Sequence, residues 1–120
     1  WGAAAGRGPG WAARDLGMAA ATRGVASAMV LRYGGGEGGG NLLVAPAVLF
    51  FFVLRGAVTL SCTGPDGRAE GVRLKTGDAV TVPRKSSYRL NGVATGTEIL
   101  EVALLGGTNS GRPSSSSSRL

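Results

Sequence analysis

Val48-Leu49-Phe50-Phe51-Phe52-Val53-Leu54-Arg55-Gly56-Ala57-Val58-Thr59-Leu60-Ser61-Cys62-Thr63 is the stretch on which the fold turns. β-Branched and aromatic residues fill it, and such side chains pack well on a pleated surface. Gly56 divides it into two pieces of ordinary strand length. The apolar run 42–54, interrupted by Pro46, is too short for a membrane-spanning helix, which needs about 20 residues. Residues 48–54 therefore read as a buried strand and 57–63 as the strand after it. Strand side chains alternate between faces. Taking Phe50, Phe52 and Leu54 as the inward set, with Val58, Leu60, Val80 and Val82, gives the expected core.

Working outward, the next residues are Gly64-Pro65-Asp66-Gly67. Proline sets φ, aspartate can bond its own backbone and glycine accepts positive φ, so this is a tight hairpin turn. Thr76-Gly77-Asp78 is a second turn. Further strands are expected at 25–33, 42–44, 69–74, 79–82, 87–90 and 98–105. Residues 11–24 suit either a short helical turn or an extended arm. Short strands with a turn every ten residues or so indicate a sandwich or barrel. Both ends differ in composition. Residues 1–13 are rich in glycine and alanine, and 107–120 contain five consecutive serines. These read as flexible arms flanking a domain at 14–106.

Several pieces of the chain resemble the cupin superfamily of small jelly-roll barrels. Phe52-Val53-Leu54-Arg55-Gly56 is similar to the turn closing the first cupin motif. Leu74-Lys75-Thr76-Gly77-Asp78-Ala79-Val80-Thr81-Val82-Pro83 is similar to the opening of the second. Arg14-Asp15-Leu16-Gly17, followed by Ala21-Thr22 and Val25, resembles the lead-in of a bacterial single-domain subgroup. The likeness spans 14–105 and implies an all-β, antiparallel jelly-roll barrel. In active cupins the first motif supplies two histidines and a carboxylate or glutamine, and the second supplies a third histidine. Counting from Gly56 and Pro83 places those ligands at Leu42, Val44, Leu49 and Tyr88. Transition metals need nitrogen, oxygen or sulfur donors. Only Tyr88 has one, and a one-residue slip finds no polar side chain within 42–54. The chain also has no histidine, which removes the commonest metal ligand and general base together. The resemblance thus predicts the fold, while the substitutions predict no metal, no cofactor and a protein that is not an enzyme.

The other candidate chemistry is sparse. Gly34, Gly36 and Gly39 match a dinucleotide-loop spacing, but a strand-like run follows where a helix is needed. Glu98 and Glu101 are three apart, which in a strand puts them on opposite faces, and they read as separate solvent-facing or edge charges. Cys62 has no histidine to activate it and reads as a buried, inert thiol. Lys85, Tyr88 and Arg89 would lie at the barrel mouth by the family likeness and could meet an anion there.

The net charge is +6, from 13 basic and 7 acidic residues. The basic residues are scattered, without the clustered patch and aromatic platforms of a nucleic-acid binder, so no sequence-specific nucleic-acid partner is expected. A single cysteine excludes an internal disulfide. The expected role is that of an accessory subunit of a larger multi-protein assembly, peripheral to a membrane complex, with Trp1, Arg7, Trp11, Arg112 and Arg119 as anchors on partner subunits, because Trp and Arg carry much of the energy in interfaces. The alternatives are a metal-free small-molecule-binding or sensory cupin and, behind it, a metal-independent isomerase or lyase. A chain that is rich in arginine and begins at Trp1 suits a plastid or mitochondrion after removal of a leader. Ser118-Arg119-Leu120 resembles a peroxisomal C-terminal signal.

Overall fold

The computed structural model describes residues 1–3, 10–35, 41–64 and 66–104. Arg7, Arg112 and Arg119, the glycines Gly36 and Gly39, and the Ser-rich C-terminal stretch lie outside the described residues.

The fold is all-β and antiparallel, as expected. Its strands are β1 (Gly2–Ala3), β2 (Trp11–Asp15), β3 (Ala26–Tyr33), β4 (Leu43–Val44), β5 (Val48–Arg55), β6 (Ala57–Thr63), β7 (Ala69–Lys75), β8 (Ala79–Val82), β9 (Ser87–Asn91) and β10 (Glu98–Leu104). A single helical turn, α1 (Met18–Ala21), lies against β3. The strands form a six-stranded sheet in the order β1-β2-β3-β10-β5-β8 and a four-stranded sheet in the order β4-β9-β6-β7. The two sheets enclose one hydrophobic core. Among the described residues they do not close into a continuous hydrogen-bonded barrel: β8 ends one sheet and β7 ends the other. Residues 11–24 supply both a strand and a helical turn. Trp11–Asp15 pairs with β3, so the sheet already begins within the stretch expected to be a free arm.

The turns follow the chemistry of their residues. At the β6–β7 hairpin, Gly67 takes φ 84° and its N–H donates to the Gly64 carbonyl at 2.9 Å. The Asp66 carboxylate accepts from the Arg68 N–H at 3.1 Å. At 76–78 the Asp78 carboxylate accepts from the Lys75 N–H at 2.9 Å. Gly56 is where the chain leaves the six-stranded sheet for the four-stranded one. It sits at φ 94°, its N–H donates to Thr76 Oγ1 at 3.1 Å, and a Cβ there would lie 2.8 Å from the Thr97 Cα. Thr97 is fully buried and anchors the same corner, accepting from the Ala57 N–H at 3.2 Å and donating to the Ala57 carbonyl at 3.1 Å.

The facing of β5 corrects the sequence-based core. Leu49, Phe51 and Val53 are buried, whereas Phe50, Phe52 and Leu54 are 39%, 39% and 40% exposed. Residues 48–54 are all apolar, so the strand carries no alternation from which its inner face could be read. Partner strands decide it. Phe51 pairs with Val80 on β8 and Glu101 on β10, which places all three on the inner side. Val58, Leu60 and Val82 are buried as expected.

Candidate functional site

The positions matching the cupin ligands do not converge. Leu42 and Val44 are 59% and 63% exposed, while Leu49 and Tyr88 are buried. Leu43 pairs directly with Tyr88, so it is Leu43 of β4 that faces inward, and the buried residue beyond it is Ala45. The count from the motif slips by one residue at these first two positions. Neither Leu43 nor Ala45 carries a donor atom. Among the described residues, no three His, Cys, Asp or Glu side chains come together as a metal-binding group. The residues present do not fit the metal that this fold holds in active cupins.

The inner faces nevertheless carry polar groups. Directly paired strand residues share a face, and in the four-stranded sheet the row runs Glu70–Cys62–Tyr88–Leu43. Opposite it, the six-stranded sheet presents the row Val80–Phe51–Glu101–Met29. The Phe51 and Tyr88 rings join the rows, with centroids 5.7 Å apart and planes inclined at 52°. Glu101 is 6% exposed, which corrects its reading as a solvent-facing charge. It does lie on the face opposite Glu98, as the three-residue spacing requires. A thiol, a phenol and two carboxylates on the inner faces are groups that can donate, accept and carry protons.

A cavity of about 290 Å³ lies between the two sheets at their unpaired ends, β7 and β8. Cys62, Arg68, Glu70, Val72, Val80 and Ser86 are among the residues lining it. Cys62 is half-buried rather than buried. Ser86 is fully buried, and its hydroxyl has no hydrogen-bond partner among the described residues. Its backbone is fully engaged: the N–H donates to the Pro83 carbonyl at 3.1 Å, and the carbonyl accepts from the Ala45 N–H at 2.9 Å. A tight turn holds Ser86 in this place, with Lys85 at φ 70°, a left-handed conformation that costs a non-glycine residue about 1–2 kcal/mol. Ser86 and Glu70 were not legible as site residues, because no motif marks them. Glu101 was masked by its neighbours, since Ile99, Leu100, Val102, Ala103 and Leu104 are apolar on both faces of β10.

The remaining expected site residues do not form a cluster. Lys85 and Arg89 are exposed while Tyr88 points into the core, so the three do not share a rim. Trp11 is 6% exposed and packs on Tyr33 with ring centroids 5.1 Å apart. That burial corrects its assignment as an anchor for partner subunits. Trp1 is 51% exposed, and the Arg32 guanidinium stacks 4.1 Å from its ring centroid.

The sequence matches no family model and no curated protein. The fold, however, matches solved structures of oxalate decarboxylase. The Bacillus subtilis enzyme at pH 4.6 superposes with a TM-score of 0.70 at 17% identity, covering 83% of this chain and 26% of that one. A deletion mutant of the B. subtilis enzyme gives 0.70 at 18% identity, with 84% and 27% covered. A structure describing the substrate binding mode and a reaction specificity switch in oxalate decarboxylase gives 0.69 at 13% identity, with 85% and 28% covered. This chain therefore spans about a quarter of the length of those proteins, and the likeness establishes a cupin-like β fold. It also overturns the expectation of a non-enzyme. The solved structures compared above, which share this fold, are those of a decarboxylase, so the lack of the usual ligands does not by itself place a chain of this fold outside catalysis.

Proposed function

We propose that this cupin-like domain binds a small polar molecule in the cavity between β7 and β8, and that it holds the molecule with side chains rather than through a metal ion. The observation that carries the reading is Ser86, a residue of the cavity lining whose fully buried hydroxyl has no partner among the described residues. A buried polar group left unpaired costs about 1–3 kcal/mol, and a ligand atom that bonds to it removes that penalty. Arg68 and Glu70 supply charges of both signs at the same cavity, and Val72 and Val80 supply apolar walls. A site that is mostly apolar with a few convergent polar groups is the usual form of a small-molecule pocket. The absence of side-chain donor atoms at Leu43, Ala45 and Leu49 supports the metal-free part of the reading, and elemental analysis of desalted protein tests it. Stoichiometric manganese, iron, zinc or nickel would overturn that part.

Ser86→Ala separates ligand binding from stability. Without ligand, the variant should gain about 1 kcal/mol in denaturant unfolding, because an unpaired hydroxyl is removed. With ligand it should bind about tenfold more weakly, the equivalent of one lost hydrogen bond. The screen is a thermal-shift survey of small amines, carboxylates, amino acids and sugars. Val72→Trp serves as a blocked-cavity control, since Val72 is 42% exposed and the larger ring can enter the mouth. A survey without stabilising compounds, or with compounds whose effect survives both substitutions, would overturn the proposal.

A further inference from the structure

The outer face of the four-stranded sheet carries cations and hydroxyls. Direct pairing sets its central rows, Arg73–Thr59–Asn91 and Gly71–Ser61–Arg89. Lys75 extends the face at one end, and the paired Thr63 and Ser87 add two hydroxyls at the other. Glu70, the acidic residue of these strands, lies on the inner face. Basic residues scattered along the sequence are thus gathered by strand pairing, with the Arg73 and Arg89 Cα atoms roughly 12 Å apart by strand and residue spacing. The Arg73 guanidinium is held in place: its Nη1 donates to Thr59 Oγ1 at 3.0 Å and to the Gly92 carbonyl. That leaves the Nε and Nη2 edge for an anion, which a guanidinium fork grips bidentately. Gly71 stands between the cations, and the backbone does not ask for a glycine there. It has no positive φ, its pairing with β6 runs without a bulge, and a Cβ would meet only the Leu60 carbonyl oxygen, at 4.0 Å. Glycine weakens a strand, and close approach of a ligand is a reason to keep it where no bulge or bend requires it.

We infer that this face binds an acidic polysaccharide, seated in the trough left by Gly71, with Arg73, Arg89 and Lys75 on its carboxylates or sulfates and with Ser61, Thr63 and Asn91 on its sugar hydroxyls. Charge complementarity argues for an anionic partner, because the cations here have no carboxylate beside them in their rows. The balance of groups argues for a sugar chain. Hydroxyl and amide side chains outnumber the cations on this face, which suits a polymer of hydroxyls with spaced charges. A single-stranded nucleic acid would seek aromatic platforms for its bases, and Tyr88, the aromatic residue of these strands, is buried on the inner side. An acidic protein segment would seek apolar and aromatic anchors, and the two central rows contain neither.

The test is surface plasmon resonance of the full chain on immobilised polygalacturonate, dextran sulfate, neutral dextran, oligothymidylate and polyglutamate, at low ionic strength, where exposed charges are least screened. Binding is expected on polygalacturonate or dextran sulfate, more weakly on oligothymidylate and polyglutamate, and not on neutral dextran. Arg73→Gln combined with Arg89→Gln should weaken it about tenfold, the loss of two exposed charge pairs. Arg14→Gln combined with Arg23→Gln removes the same net charge away from this face and should change binding less than about twofold. Gly71→Thr should weaken binding about tenfold by filling the trough, while raising the urea midpoint, since threonine suits a strand better than glycine. Should the Arg73 variant lose its circular dichroism spectrum, Arg89→Gln alone should still weaken binding about threefold, half of the double effect on a free-energy scale. Absence of binding to both acidic polysaccharides would overturn the inference. So would equal losses in the two double variants, which would reduce the effect to net charge, or indifference to Gly71→Thr. Tighter binding to oligothymidylate or to polyglutamate would overturn it in favour of a nucleic acid or an acidic protein. These outcomes do not depend on whether the β7–β8 cavity holds a ligand.

Discussion

Phe51→Ala is expected to destabilise the domain by about 4 kcal/mol, the ordinary cost of emptying a phenylalanine site in a core. Phe51 is 1% exposed. It packs against Tyr88 across the sandwich and sits in register between Val80 and Glu101. Few surrounding atoms can collapse into the void, because it lies where both sheets meet. Phe52→Ala, one residue along, should cost about 1 kcal/mol in dilute solution, where the outer face meets water and a truncated ring leaves no enclosed cavity. Domains of this kind have only about 5–15 kcal/mol of stability in total, so the first substitution should shift the urea midpoint strongly and the second slightly. Equal losses at the two positions would contradict the facing of β5. A larger loss at Phe52 would reverse it.

Gly56→Ala is expected to cost about 3–5 kcal/mol, with two separable causes. The residue sits at φ 94°, which strains any side chain by about 1–2 kcal/mol. The added methyl would also lie 2.8 Å from the Thr97 Cα and 2.9 Å from its Cβ. Backbone at a buried corner cannot retreat, and Thr97 could move only by giving up its bonds to Ala57. Gly77→Ala isolates the first cause. Gly77 has a similar φ of 91°, but nothing lies within 4 Å of a Cβ built there. Its loss should be about 1 kcal/mol. Chemical denaturation of the two variants side by side checks the difference. A gap of less than about 0.5 kcal/mol, the scatter expected between independent sites, would mean that Thr97 does not clamp this corner.

Gly56 also connects stability to the cavity. It is the point at which one chain crosses between sheets, and the Thr76 hydroxyl that receives its N–H belongs to the turn joining β7 to β8. Those two strands frame the cavity.

Local chemistry was enough to define the strands and turns from Ala26 onward, but not β1 and β2. Residues 57–63 and 79–82 form strands with the expected bounds. The Gly64–Gly67 and Thr76–Asp78 turns form where glycine, aspartate and threonine stand together, because those preferences act within a few residues. The likeness to the cupin motifs named the fold correctly for the same reason: glycine and proline at fixed spacing mark obligatory corners of the chain. Facing is a different quantity. Along 48–54 every residue is apolar, and along 98–104 apolar residues occupy both faces, so alternation carries no information there. Only pairing with β3, β8 and β10 set Phe51 and Glu101 inward and Phe50 and Phe52 outward. The same one-residue parity left Leu42 and Val44 exposed and turned Leu43 toward Tyr88. The cavity was less legible still, since Cys62, Arg68, Glu70 and Ser86 come from three different parts of the chain. They meet only because β7 and β8 are the unpaired ends of two sheets, and no spacing along a sequence records which strand will be left without a neighbour.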